Sequence, residues 1–379
     1  MIISEIGLRN WKNFAAAAVS CGKRVFLIGP NAAGKSNFLD APRFLRDVAL
    51  DGLAKAVACR GGMEAVRWRG TRGHSGVTVT AVLDRAWEYS LSFKANRKHE
   101  PVVSGERVFC LDGKRKSTLL DRPDAGDEKD PPRLAQTALQ QVGMNGRFRP
   151  IADFFASIQY RRLLPGLPLA ARSLSPSADG GDPFGLDLAP RIWSVPAKSR
   201  DARLRKINAL LAAAVPDFKS LSLEPDPGAG FPRLRISCGH WRSRRACRDE
   251  SSLSDGTLRL IALLWSLLDA DGPLLLEEPE LSLHGEIVRR LPQLFALLDK
   301  TGKKAGRQLF VATHAEALLD DADIGADEIL RFEPGGGGTA IKTADPGDER
   351  LMRDGLSAAD VLLPKTRPPR LQGAGWPVP

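Results

Sequence analysis

Nowhere in the chain do apolar residues run uninterrupted for the roughly 18 positions that a membrane-spanning helix requires. The opening MIISEIGLRNWKNF lacks the charged-then-apolar order of a secretory leader, so a cytoplasmic protein without a membrane partner is expected. Cysteine is scarce: five, an odd number, lie scattered over 379 residues, which rules out a disulfide framework. Prolines are spread between Lys35 and Ser254 with no sustained heptad, so a long coiled-coil arm is excluded. No internal repeat is evident.

What the chain does have is a core and an excess of positive charge. Hydrophobic residues make up 43% and charged residues 26%, a globular composition for one large domain or two ordinary ones. Lys and Arg number 55 against 45 Asp and Glu, a net of +10 that points to an anionic partner. Residues 191–248 alone hold 13 Lys and Arg against 4 Asp and Glu, so nearly all the excess sits there. A basic run is most often a solvated face and otherwise a phosphate-binding surface. Composition does not choose.

Periodicity divides the chain into recognisable pieces. MIISEIGL and KRVFLIG read as strands, and the stretch from Asn31 to Leu50 turns to helical spacing. GVTVTAVL, WEYSLSF and ERVFCLDG alternate and are closely spaced, so antiparallel pairing is expected. DRPDAGDEKDPP reads as a loop, PRLAQTALQQVG and PIADFFASIQY as helices, the latter ending in a short strand over 157–160. Residues 164–190 read as a long surface loop. DARLRKINALLAAAV puts Leu204, Ile207, Leu211 and Val215 on one helical face. From Ser254 onward helix, strand, helix, strand follow in the grammar of a parallel sheet. A hairpin around GGGG and a helix over 349–363 close the pattern.

Four motifs carry chemistry. GPNAAGKS fits G-x-x-x-x-G-K-[ST] between a buried strand and a helix. The loop Gly29, Pro30, Asn31, Ala32, Ala33 and Gly34 can curl around phosphates, its glycines letting the backbone N–H groups of the residues other than Pro30 face them; Lys35 can reach the phosphates, and Ser36 can ligate Mg²⁺. LLLEEPE is an apolar strand ending in adjacent carboxylates, Glu277 suited to the metal and Glu278 to a general base. RQLFVATH ends another apolar strand at His314, placed to meet a terminal phosphate or to serve as a structural histidine. LSDGT opens an apolar helix: Ser254 and the backbone of Gly256 are either a plain N-cap or a second anion-binding end. Cys238, His240 and Cys247 lie close together, but C-x-H-x6-C matches no common zinc pattern. Trp241 among Arg242, Arg244, Arg245 and Arg248 fits a nucleic-acid clamp or an exposed strand edge.

In this order the motifs resemble the ABC-type ATPase heads of the RecF/SMC/OLD group, across nearly the whole chain. GPNAAGKS looks like Walker A, LSDGT like the ABC signature, LLLEEPE like Walker B and LFVATH like the switch-histidine strand. NWKNF is similar to the N-F-[KR]-x-F segment of RecF and SMC heads, with Trp11 replacing the first Phe, and EEPELSLH to the Walker B and D-loop run of OLD-type ATPases, with His284 where other ABC proteins usually have aspartate. The resemblance is strongest to stand-alone OLD-related ATP-binding proteins of bacterial defence loci. It implies an α/β P-loop NTPase fold with a mostly parallel core sheet, an antiparallel β insert and a helical signature lobe. One head would span 1–364, with lobes at 1–58, 60–130, 131–252 and 253–364 and a disordered tail at 365–379. It further implies ATP and Mg²⁺ as ligands, Lys12 and Gln159 (the Q-loop candidate) among the nucleotide contacts, and catalytic roles for Glu278 and His314. Asp255 replaces the usual signature glycine and Glu277 the usual aspartate, so only Ser254 and Gly256 carry over cleanly and direct metal ligation by Glu277 is in doubt.

Two ATP sites shared across a homodimer are expected, because an anion-binding helix end beside a complete phosphate loop is best used on a second copy's nucleotide. DNA through residues 191–248, or a separate nuclease-type effector, is the expected further partner. With roughly 65 residues after His314, any nuclease activity of the kind full OLD enzymes carry C-terminally is expected to belong to a separate partner. The competing reading is the ATPase subunit of a membrane transporter. A kinase or GTPase explains the phosphate loop alone, and no N-K-x-D motif is present.

Overall fold

A computed structural model describes residues 1–71, 75–113, 115–163, 188–225, 232–240, 243–249, 253–269, 272–300 and 307–367. In chain order its strands are β1 (Ile3–Trp11), β2 (Phe14–Ser20), β3 (Arg24–Ile28), β4 (Val77–Leu83), β5 (Trp87–Ala95), β6 (Pro101–Asp112), β7 (Arg115–Arg122) and β8 (Gln159–Arg161). They continue with β9 (Phe218–Glu224), β10 (Arg233–His240), β11 (Ser243–Asp249), β12 (Leu274–Glu277), β13 (Leu309–Ala312), β14 (Ile329–Glu333) and β15 (Ala340–Lys342). Three sheets result, ordered β2-β1-β4-β5-β6-β7, β15-β14-β3-β13-β12-β8 and β11-β10-β9.

The first sheet is antiparallel throughout. β4 shows why: every other residue of VTVTAVL is buried, the period-2 signature of a half-covered strand. In the second sheet β3 runs parallel to both β13 and β14, with β15 antiparallel at the edge. This is the expected α/β architecture of parallel core and antiparallel β sheet.

The chain divides into two compact units, Met1–Gln159 with Gly272–Leu275 and Arg307–Pro379, and Tyr160–Asp271 with Leu276–Gly306. In the first, the helix Lys35–Asp51 packs aromatics against strands of two sheets. Phe38 meets Phe14 of β2 and Phe332 of β14 edge-on, at centroid distances of 6.5 and 5.6 Å. Phe44 meets Trp11 of β1 and stacks on Phe93 of β5 at 5.1 and 5.2 Å. Each such pair adds about 0.5–1.5 kcal/mol beyond area burial. In the second unit the helix Ala197–Ala214 buries Leu204, Ile207 and Leu211 as its spacing predicts, with Val215 half-buried at its C-cap. The Asn208 side chain receives the Leu221 N–H at 2.6 Å and donates to the Leu221 carbonyl at 3.1 Å, fixing β9 to this helix.

A buried ionic network replaces the helix expected over PRLAQTALQQVG. Only the 3₁₀ turn Pro131–Ala135 forms there. The Glu106 carboxylate takes the N–H groups of Ala138 and Leu139 at 2.6 and 2.9 Å, and Gln140 Oε1 takes that of Thr137, so the donors a helix needs are spent on side chains. Tyr89 donates to Glu106, and Arg122 bridges Glu106 to Asp127 with no exposure of any side chain in the pair contacts. Burial raises the Glu106 pKa, whereas the hydrogen bonds from Arg122 lower that of Asp127. Arg122→Met is expected to cost about 3–5 kcal/mol in urea unfolding, because two buried carboxylates lose their cation.

Other differences have local causes. The loop expected over 121–132 begins in β7 and contains the helix Ala125–Lys129, held by a reciprocal Asp124–Asp127 capping box. The helix expected over 284–300 is two, Gly285–Arg289 and Leu291–Lys300, because Pro292 has no N–H to continue the ladder. The helix expected over 349–363 is likewise two, Pro346–Arg353 and Ala358–Val361, separated at Gly355 with φ +106°. Residues 188–190 of the expected loop begin the helix Leu188–Ser194; 164–187, like 368–379 of the tail, lie outside the described residues. The longest described helix has 18 residues, and none is long and apolar enough to cross a membrane.

Candidate functional site

β3 hands the chain directly into GPNAAGKS. Gly29 and Gly34 hold φ of +152° and +98°, and Ala32 holds +61°. A Cβ on Gly29 would lie 2.7 Å from the Phe332 carbonyl, and one on Gly34 1.9 Å from Asn13 Nδ2, so only glycine fits either place. The helix Lys35–Asp51 starts at Gly34 with no side-chain cap and no acidic residue in its first turn. Its positive end is therefore available to an anion. Lys35, only 7% exposed, lays its Nζ 2.8 Å from the Gly29 carbonyl and 3.1 Å from that of Pro30. Ser36, next along, is exposed. This donor set, an uncapped helix end with bare glycines and a lysine folded over the loop, fits a nucleotide phosphate chain.

NWKNF supports the loop from outside. Asn13 Nδ2 donates to Thr339 Oγ1 at 2.7 Å and to the Ala33 carbonyl at 3.3 Å, and Thr339 Oγ1 donates to the same carbonyl at 2.9 Å. Lys12 is placed differently: its Nζ lies 2.6 Å from Asp40 Oδ2, where Arg60 also pairs. Both cations draw the Asp40 pKa down against the desolvation that would raise it.

His314 follows β13, whose Ala312 pairs with Leu27 of β3 in parallel register. The two strands end together, and Thr313 donates its N–H to the Leu27 carbonyl at 3.1 Å. A cavity of about 850 Å³ consequently has Gly29, Pro30, Asn31 and His314 on one side. Its other wall is the C-terminal turn, with Asp360, Leu363 and Arg367. The phosphate loop and His314 are thus brought together.

In the second unit β12 ends in Glu277, 6% exposed, whose Oε2 accepts the Tyr160 phenol. Arg162 Nη1 lies 3.8 Å from Oε1. Glu278 follows with φ +47° and Ser282 with φ +62°, conformations rare for side-chain-bearing residues and enriched at functional turns. Gly256 of LSDGT packs against this turn, where a Cβ would fall 2.4 Å from the Ser282 carbonyl. Ser254 Oγ lies 2.9 Å from Thr257 Oγ1 and accepts the Thr257 N–H at 3.3 Å, so it caps the helix Asp255–Asp269. Arg259 of that helix is 6% exposed, its Nη1 finds no hydrogen-bond partner, and it feels the charges of Asp255, Glu278 and Glu280.

Gln159 begins β8 with its N–H on the Pro273 carbonyl at 2.8 Å and its buried Oε1 without a partner. In the basic segment, Arg191 and Arg203 both pair with Asp269, at 2.6 and 2.7 Å. Arg200 lies over the exposed Trp193 ring at 4.7 Å, while Lys198, Arg205, Lys206 and Lys219 are exposed. Arg244, Arg245 and Arg248 fall in β11; their side chains, those of His240 and Cys247, and all of Trp241 and Arg242 lie outside the described residues. Among those described, no group of His, Cys, Asp and Glu forms a metal cluster.

A family model described as "AAA domain, putative AbiEii toxin, Type IV TA system" matches residues 24–320. The chain belongs to this AAA-domain family. No protein of curated function matches it in sequence. Among solved structures, an Smc head bound to the C-terminal winged-helix domain of ScpA is 16% identical with a TM-score of 0.53, covering 91% of this chain and 98% of that one. An Smc head with an extended coiled coil, bound to the C-terminal domain of ScpA derived from Pyrococcus furiosus, is 14% identical with a TM-score of 0.50, covering 93% and 98%. The SMC head domain from Thermotoga maritima is 17% identical with a TM-score of 0.47, covering 91% and 100%. The fold of this AAA-domain chain is that of an Smc head domain.

Within that head, sequence reasoning missed Asn13, Thr339, Tyr160, Arg162 and Arg259. NWKNF was a signal for Asn13. Nothing local marks Thr339, which reaches Ala33 across 306 positions of chain.

Proposed function

We propose that the chain binds and hydrolyses ATP as a RecF/OLD-like ABC ATPase whose homodimer, with two composite MgATP sites, switches with nucleotide state. The supporting observation is the convergence of the phosphate loop and His314 on one cavity at the end of parallel strands β3 and β13. Backbone N–H groups of Gly29, Asn31, Ala32, Ala33 and Gly34 and the Lys35 amine bind the phosphates of the substrate. Ser36 and Glu277 would hold Mg²⁺, which when bound neutralises phosphate charge. Glu278 takes the proton of the attacking water, and His314 contacts the terminal phosphate. Gln159, with a free amide oxygen, orients that water. Ser254 and the Gly256 backbone close over the nucleotide of a second copy. Lys12 is the weakest member of the set, since Asp40 already holds its charge.

The switch acts in the cytoplasm on DNA or on a separate effector of the nuclease type, in DNA repair or phage defence. The exposed cations of residues 198–219 and the Trp193–Arg200 stack support DNA. Smc heads seated on ScpA domains support a protein partner. An ATPase assay with and without duplex DNA at several salt concentrations decides between them. DNA is expected to stimulate hydrolysis, and the stimulation to fade between about 50 and 200 mM salt as counterion release weakens phosphate contacts. Absence of stimulation at every salt concentration assigns the basic face to a protein.

A further inference from the structure

Glu277 is held from two sides by residues of one short segment. Tyr160, 9% exposed on β8, donates its phenol to Oε2, and Arg162, two residues on, approaches Oε1 to 3.8 Å. The two holds differ in kind. The phenol is a neutral, buried donor: it fixes the longer glutamate side chain in one rotamer without adding charge beside the carboxylate. The Arg162 side chain is 48% exposed and carries a full positive charge 3.8 Å from Oε1, where it opposes any second cation on the same carboxylate. It can swing into solvent.

We propose that Tyr160 and Arg162 set the divalent-metal affinity of Glu277 with opposite signs, Tyr160 as a positioning residue and Arg162 as a competing cation. The proposal rests on the assignment of Glu277 to Mg²⁺. Tyr160 stands next to Gln159, so the strand that carries the free amide also carries the group that aims the carboxylate. Metal occupancy and the position of β8 are therefore coupled, and the chain can register a loaded site through Tyr160. The glutamate in place of the shorter aspartate then has a local reason: its extra methylene carries the carboxylate to the phenol.

The test is Mn²⁺ binding, followed by electron paramagnetic resonance, to the full chain with a non-hydrolysable ATP analogue. Tyr160→Phe is expected to weaken Mn²⁺ about tenfold, the scale of lost support behind a metal ligand, with metal-free nucleotide binding unchanged. Arg162→Ala is expected to tighten Mn²⁺ about threefold, the scale of one exposed ion pair. In a Glu277→Ala background neither substitution changes Mn²⁺ affinity further. Wild-type affinity in Tyr160→Phe, or weaker binding in Arg162→Ala, overturns the inference. Should Tyr160→Phe fail to fold, Arg162→Ala decides alone, since an exposed side chain is removed. Unchanged Mn²⁺ affinity in Glu277→Ala itself refutes the underlying metal assignment instead.

Discussion

Lys35→Ala is expected to weaken ATP binding by at least about 100-fold, the value of one or two charge-assisted contacts to phosphate. The side chain is not a flexible surface lysine. It is 7% exposed, and two loop carbonyls hold its amine at 2.8 and 3.1 Å, so its rotamer entropy is already spent before nucleotide arrives. Its charge also compensates those carbonyls, which would otherwise repel an anion. Lys35→Met keeps the stem and loses only the charge, and it should show the same loss with a wild-type melting temperature. Titration with a fluorescent ATP analogue reads both variants. Unchanged binding would remove GPNAAGKS from the account.

Glu278→Gln is expected to lower turnover by about 10²–10⁴-fold, the usual contribution of a positioned general base. Nucleotide binding should stay as in the wild type. The two side chains are nearly isosteric, and the φ of +47° at this position is paid for by the turn, which the substitution leaves intact. Turnover within threefold of wild type would take the base role from Glu278.

What could be read from the sequence follows the reach of each interaction. The phosphate loop, the LLLEEPE strand and the His314 strand were legible because their chemistry is local: a buried strand, then glycine, acid or histidine at its end. β2 was not, because FAAAAVS carries alanines, poor strand formers, and owes its state to pairing with β1. The segment after Arg133 misled because its helical spacing is genuine, while Glu106, about thirty residues away, captures its N–H groups. The support of Ala33 by Thr339 and of Glu277 by Tyr160 spans far longer separations, which no window of sequence contains. Ser254 was read in two ways, and its bond to Thr257 shows the cap that one of them required.

The central claim is that ATP is shared between two copies of the chain. Sedimentation velocity of the Glu278→Gln protein, with saturating ATP and Mg²⁺ and then without nucleotide, tests it most directly. The account predicts a dimer with MgATP and a monomer without it, and no dimer when Lys35→Ala is added. A Glu278→Gln protein that binds MgATP and still sediments as a monomer contradicts it.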